Sequence, residues 1–185
     1  MKGRIFITDK LSRLAMRMKK GDSRAADTLH RELVEKVYGF CVNRLHRRDY
    51  AEDLTQEIFL KLVTKIDLFD PSRGNFAVWF WQLARNTVTD HFRHKREYAF
   101  SDVGEMAQVE AIATHNPERQ YEDALETKHL NEFMKTLDEY EQELFRLRYV
   151  AELSYGEISA ILEKSEGALR VAVNRLKKKI QKQFA

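Results

Sequence analysis

Apolar residues recur along this chain at helical spacing. Leu29, Leu33, Val37 and Phe40 fall three or four apart, and Leu54, Ile58, Leu62 and Ile66 repeat every four. Both patterns describe one buried face of an α-helix. The spacing predicts four helices in the first hundred residues: Asp9–Lys20, Ser23–Arg47, Tyr50–Leu68 and Phe76–Arg96. Lys20-Gly21-Asp22-Ser23 breaks the chain and recaps it, and Asp70-Pro71-Ser72-Arg73-Gly74-Asn75 reads as a turn-rich loop. Residues from about Ala99 to His115 carry no sustained apolar period and read as a linker. Asn116-Pro117 can restart a helix, with Asn as N-cap and Pro at the first helical position. Tyr121, Ala124, Leu125 and Met134 give that helix a partial stripe. Three further helical pieces follow from Leu137. The expected fold is all-α: two small helical modules, 1–98 and 117–185, joined by a linker at 99–116.

Two helices have unusual polar faces. On the third, Leu54, Ile58, Phe59, Leu62, Val63 and Ile66 form the core stripe, opposite Asp53, Gln56, Glu57, Lys61 and Thr64. Leu60 falls in the middle of the polar side. An apolar residue ringed by acids and an amide suits a docking partner, although single exposed leucines are common. On the fourth helix, Phe76, Trp79, Phe80, Leu83, Ala84 and Thr87 form the expected buried side. Opposite lie Trp81, Gln82, Arg85, Thr89, Phe92, Arg93 and Arg96, with Lys95 beside them and Asn86 on the edge. Aromatic rings among arginines suit single-stranded nucleic acid, because rings stack on unpaired bases and guanidiniums neutralise phosphates. The alternative is that Trp81 and Phe92 pack beneath another helix.

The C-terminus has the pattern of a helix-turn-helix. Ser154-Tyr155-Gly156-Glu157 fits a capping box, Ile158, Ile161 and Leu162 face inward, and Glu163-Lys164-Ser165 makes the turn. On the next helix Leu169, Ala172, Val173, Leu176 and Ile180 share one side. Arg170, Val171, Asn174 and Lys178 point away, with Arg175 and Lys177 at the margins. An outward Arg, Asn and Lys set is suited to the DNA major groove.

Charge sharpens this division. Residues 1–98 hold 20 Lys+Arg against 13 Asp+Glu, residues 99–136 hold 3 against 8, and residues 137–185 hold 9 against 8. A basic front followed by an acidic middle fits a nucleic-acid-facing module and a linker. The single cysteine, Cys41, lies in an apolar stretch and reads as core. With no possible intramolecular disulfide, no membrane-length apolar run and no signal-peptide pattern, a cytoplasmic protein is expected.

Three segments, in this order, carry a family resemblance. Ala51 through Phe59 (AEDLTQEIF) resembles region 2.2 of sigma factors. Phe76 through Arg96 (FAVWFWQLARNTVTDHFRHKR) resembles regions 2.3 and 2.4. Tyr155 through Arg175 (YGEISAILEKSEGALRVAVNR) resembles the region 4.2 helix-turn-helix. The short length, without regions 1.1 and 3, is similar to the extracytoplasmic-function group. The resemblance implies that Asp53, Gln56, Glu57 and Leu60 dock on the β′ clamp helices of core RNA polymerase. It implies that Trp81, Arg85, Asn86, Thr89, Phe92, Arg93 and Arg96 meet the −10 element. Asp70, Ser72, Arg73 and Asn75 match the loop that captures a flipped base. Arg170, Val171, Asn174, Arg175 and Lys178 match positions that read the −35 element. It also implies contact with the polymerase β flap, promoter DNA and an anti-sigma factor, with no cofactor, no metal and no catalytic residue. In the recognition helix, Ala168, Leu169, Val171 and Ala172 replace the Thr, Val, Ser and Arg more usual in relatives, leaving fewer polar base-reading groups.

Two rival readings use the same residues. A helix-turn-helix regulator of duplex operators explains the C-terminus but not the faces of the third and fourth helices. A metal-dependent nuclease could use Asp90, His91 and His94, but the chain has no His-Glu-x-x-His motif, no paired cysteines and no glycine-rich phosphate loop.

Overall fold

The computed structural model describes residues 9–45, 48–101 and 129–184, with backbone alone for 94–101. Every regular element among them is helical. The first four helices are α1 (Lys10–Met18), α2 (Ser23–Leu45), α3 (Arg48–Lys65) and α4 (Phe76–Ser101), with a 3₁₀ turn at Ile66–Leu68 after α3. Residues 129–135 are helical and are termed α5. They are followed by α6 (Glu139–Phe145), a π-helical turn (Arg146–Val150), α7 (Tyr155–Leu162) and α8 (Glu166–Gln183).

Local chemistry explains where the helices begin. Asp9 accepts from the Ser12 amide at 2.8 Å and caps α1. Gly21, at φ +84°, turns the chain after α1. Asp22 then accepts from the Ala25 amide at 3.1 Å at the start of α2. The Arg17 side chain and the Ala25 amide hold the Asp22 carboxyl below its usual range. Asp138 and Ser154 each make a reciprocal capping box, with Glu141 and Glu157. The α7–α8 turn passes through Glu163 in the left-handed region, and Ser165 caps α8 through the Ala168 amide.

The front module packs α1 to α4 around Leu29, Leu33, Phe40, Ile58, Phe69, Phe76 and Phe80, all nearly inaccessible. Cys41 is buried among them, and burial pushes its thiol up to about 11. The back module closes on Leu144, Leu147, Ile158, Leu169 and Leu176. The two cores are contiguous, because α4 packs on α7 and α2 packs on the π turn. Gly39 lets α2 approach closely there: a Cβ at that position would meet Val150 Cγ1 at 3.1 Å.

Three expectations are corrected. Helix α4 continues to Ser101, three residues into the segment read as linker. Val63, placed on the core stripe of α3, is 58% exposed. Trp81, placed on the exposed face of α4, is buried. Phe40 of α2 and Phe80 meet its ring edge-on at 5.4 and 5.7 Å. The buried stripe of α4 is wider than a single-faced helix requires, because Ala77, Trp81 and Val88 join Phe76, Phe80 and Ala84. The helix restart at Asn116-Pro117, with Tyr121, Ala124 and Leu125, lies outside the described residues.

Candidate polymerase and nucleic-acid interfaces

Helix α3 presents Asp53, Gln56, Glu57 and Leu60 together on its solvent side. Leu60 is 64% exposed, and Val63 one turn on extends the apolar strip. Glu57 is tied to Lys61 at 2.8 Å along the helix. Beside this face a groove between α2 and α3 is lined by His30, Val34, Tyr38, Glu52, Thr55, Gln56 and Phe59. Gln56 therefore belongs to both the groove and the helix face.

The loop after α3 is fixed rather than loose. Lys19 Nζ donates to the carbonyls of Asp67 at 2.7 Å and Phe69 at 3.0 Å. The Phe76 amide donates to the buried Ser12 hydroxyl at 2.9 Å. Asp70 accepts from the Ser72 amide at 2.9 Å in an Asx turn, and bonds from Ser72 hold its carboxyl below the usual range. Ser72 and Arg73 are exposed at the tip. Asn75 already has two tasks: its oxygen accepts from the Val78 amide at 3.0 Å, and its amide donates to Glu157 of α7 at 2.9 Å.

Among the described side chains of α4, the exposed residues are Gln82, Asn86, Thr89 and Arg93, spaced as one stripe. Arg93 pairs along the helix with Asp90 at 3.4 Å. Arg85 and Phe92 are half-buried at the edge of this stripe. Lys95 and Arg96 lie outside the described side chains, as does His94. Phe92 is therefore the aromatic residue of the expected set that remains accessible on α4.

The covering of Arg85 was not legible in the sequence. Its Nε donates to Glu143 Oε1 of α6 at 2.5 Å, and its Nη1 lies 3.5 Å from the Ile161 carbonyl. Glu143 also accepts from Arg44 of α2 at 3.4 Å and from Arg146 at 3.1 Å. Arg146 donates in addition to Asn43 Oδ1 at 2.9 Å and to Gln142 at 2.9 Å. Arg146 is 2% exposed, and burial pulls its guanidinium down to about 10, still charged at neutral pH. Asn43, 6% exposed, keeps an amide donor with no acceptor among the described residues. Sequence reasoning missed Arg44, Asn43 and Glu143. Their pairing joins positions about a hundred residues apart, where no periodicity operates.

Helix α8 offers the opposite picture. Arg170, Val171, Asn174, Arg175 and Lys178 are all exposed, while Leu169, Val173 and Leu176 anchor the inner side. The Arg170 guanidinium lies 4.6 Å from the centre of the Tyr155 ring and 3.3 Å from Glu166. Arg148 lies near the same ring, at 4.9 Å. Arg170 is therefore held in place at the start of the outward face by a cation–π contact and an ion pair. Among the described residues, no group of three or more His, Cys, Asp or Glu could hold a metal ion. No helix there is long and apolar enough to cross a membrane.

Comparison with known proteins identifies both modules. The sigma-70 region 2 family matches residues 29–98, and the sigma-70 region 4 family matches residues 129–180. The chain is 30% identical over 159 residues to the ECF RNA polymerase sigma factor SigM of Bacillus subtilis, covering 84% of this chain and 92% of SigM. It is 29% identical over 180 residues to SigW of the same organism, covering 90% of this chain and 92% of SigW. It is also 29% identical over 161 residues to BldN of Streptomyces coelicolor, covering 87% of this chain but spanning only 61% of BldN. The fold is similar to CnrH, solved in complex with the cytosolic domain of CnrY, with a TM-score of 0.68 at 19% identity over 94% of this chain and 96% of that one. It is also similar to RpoE of Bartonella quintana, solved with the anti-sigma factor NepR, with a TM-score of 0.64 at 20% identity over 85% of this chain and 94% of that one. With two sigma-70 regions in order on an all-helical fold, and a relative 30% identical over 84% of this chain, the chain belongs to the ECF RNA polymerase sigma factors.

Proposed function

We propose that this sigma factor divides promoter recognition among three faces. Asp53, Gln56, Glu57 and Leu60 of α3 dock on the β′ clamp helices of core RNA polymerase. The α4 stripe of Arg85, Asn86, Thr89, Phe92, Arg93 and Arg96 holds the non-template −10 strand, and the loop from Asp70 to Asn75 receives a base taken out of the stack. Arg170, Val171, Asn174, Arg175 and Lys178 of α8 read the −35 duplex, while the back module also meets the β flap. Residues 1–101, to the end of α4, and 117–185 act as separate modules, and 102–116 spans between them. The chain carries no catalytic group of its own, since bond formation belongs to the polymerase. A cytoplasmic location and a partner of the anti-sigma kind, as in the RpoE complex, fit this role.

The supporting observation is Leu60, 64% exposed within a ring of Asp53, Gln56 and Glu57. An apolar side chain kept in water on an otherwise polar helix face has a physical purpose when a partner covers it. The test is co-elution with core RNA polymerase, followed by transcription from a promoter library. The wild type should co-elute and produce promoter-specific transcripts. An Asp53→Lys/Glu57→Lys variant should remain folded and lose core binding. Normal core affinity in that folded variant would overturn the docking assignment. Binding to a duplex operator without any association with polymerase would favour a free-standing regulator.

A further inference from the structure

The α6 carboxylate of Glu143 sits where two arginines of the front module converge. Arg44 comes from α2 and Arg85 from α4, and both reach the same carboxylate. The Phe92 ring lies 5.8 Å from the Arg44 guanidinium, so an aromatic surface adjoins the cationic pair. The unmatched Asn43 amide belongs to the same cluster, through the bond between its oxygen and Arg146. The front module therefore contributes two cations, an unused donor and a ring. The back module contributes the anion that fills them.

The partition of charge when the modules separate is informative. Glu143 and Arg146 lie on the same side of the interface, three residues apart, and leave as a neutral pair. Arg44 and Arg85 stay behind together with no counter-charge from that pair. Two guanidiniums with a neighbouring amide and ring form a receptor for a phosphodiester with an unstacked base beside it. A buried charge cluster that leaves a donor unmatched is also a contact less complete than an apolar one, which suits an interface that has to open.

We propose that Arg44 and Arg85, flanked by Asn43 and Phe92, form a phosphate-binding site for the single-stranded −10 DNA, and that Glu143 occupies it as an internal anion while the two modules are closed. The site rests on the reading of α4 as the strand-binding face and adds Arg44 and Asn43 to it. Strand binding and module closure then exclude each other, so free protein holds single strands weakly until the modules part.

The experiment measures binding of the full chain to a fluorescein-labelled, mixed-sequence single-stranded oligonucleotide across a salt series. Glu143→Gln should bind more tightly than wild type. The slope of log affinity against log salt should steepen by about 0.7 for each phosphate contact released. Adding Arg44→Ala or Arg85→Ala to that variant should each return about 0.7 of slope. A second measurement leaves the cluster untouched. Lys36 and Glu152 bridge the modules at 2.5 Å, so a Lys36→Cys/Glu152→Cys chain can be clipped shut with a short cleavable bis-maleimide. The clipped protein should bind the strand more weakly, and cleavage of the linker should restore binding. Unchanged slope in a folded Glu143→Gln chain, or clipped protein that binds as well as unclipped, would overturn the site. Arg93→Ala separates the two ideas. If it weakens strand binding while the Glu143 and Arg44 variants change nothing, the α4 reading stands and this site falls. If Arg93→Ala, and Arg85→Ala in the Glu143→Gln chain, both leave binding unchanged, both fall.

Discussion

Helices α4 and α8 carry the two arginine-bearing faces of this sigma factor, and the structure treats them differently. On α8 every outward residue the pattern selected is exposed, from Arg170 to Lys178. On α4 one selected residue, Trp81, is buried and another, Arg85, is held by Glu143 of the other module. The difference lies in what each helix packs against. Helix α8 lies on its own module, with one side anchored by Leu169, Val173 and Leu176. Helix α4 is covered on one side by its own bundle and on another by α7. A helix with two packed sides has a broad buried stripe, and a wheel with only one assumed core misassigns the flank. In this state the face of α8 proposed to read the −35 duplex is open, while the face of α4 proposed to hold the −10 strand is partly engaged within the chain.

Breaking the α4 side of the comparison should give the largest effect. Trp81→Ala should lower stability by about 3–5 kcal/mol, as expected for truncating a buried aromatic, and urea denaturation reads it directly. A stability change near zero would return Trp81 to the face proposed to bind the strand. The α8 side predicts a change in binding rather than folding. Arg170→Ala should weaken −35 duplex binding by about 1–3 kcal/mol if the guanidinium contacts a base. That loss should be the same in wild type and in Glu143→Gln, because α8 is exposed in both; equal loss on every duplex sequence would make it a phosphate contact instead.

Smaller changes sharpen the same contrast. Ser154→Ala removes the cap that starts the helix-turn-helix and should cost about 1 kcal/mol, measurable as a shift in the denaturation midpoint. It should reduce −35 binding only through stability. Mild acid probes the contact between modules. Lys36 holds the exposed Glu152 carboxyl below its ordinary 4.5 when the modules are closed. A depressed carboxylate contributes to closure above its ordinary value and loses that contribution as pH falls through the lowered one. Energy transfer between dyes on the two modules should therefore fall modestly as pH drops below about 4.5. High salt at neutral pH should mimic this loosening, since the pair is exposed.

Much of the molecule was legible because its determinants are local. The capping box at Ser154, the turn at Glu163 and the stripe through Leu54, Ile58 and Leu62 each depend on residues within a few positions of one another. The acidic face around Leu60 was readable for the same reason: one helix and its own register decide it. The end of α4 was not, because the linker reading rests on a fading apolar period, and a helix can continue where that period fades.

The sequence by itself determined the helices, their caps, the order of the two sigma modules and the outward face of α8. Only the tertiary structure decided the burial of Trp81, the pairing of Arg44 and Arg85 with Glu143, and the tie between Asn75 and Glu157. The physical reason is range. Helical periodicity and capping act over three or four residues, whereas a guanidinium from α4 and a carboxylate from α6 meet only after the chain has folded back on itself.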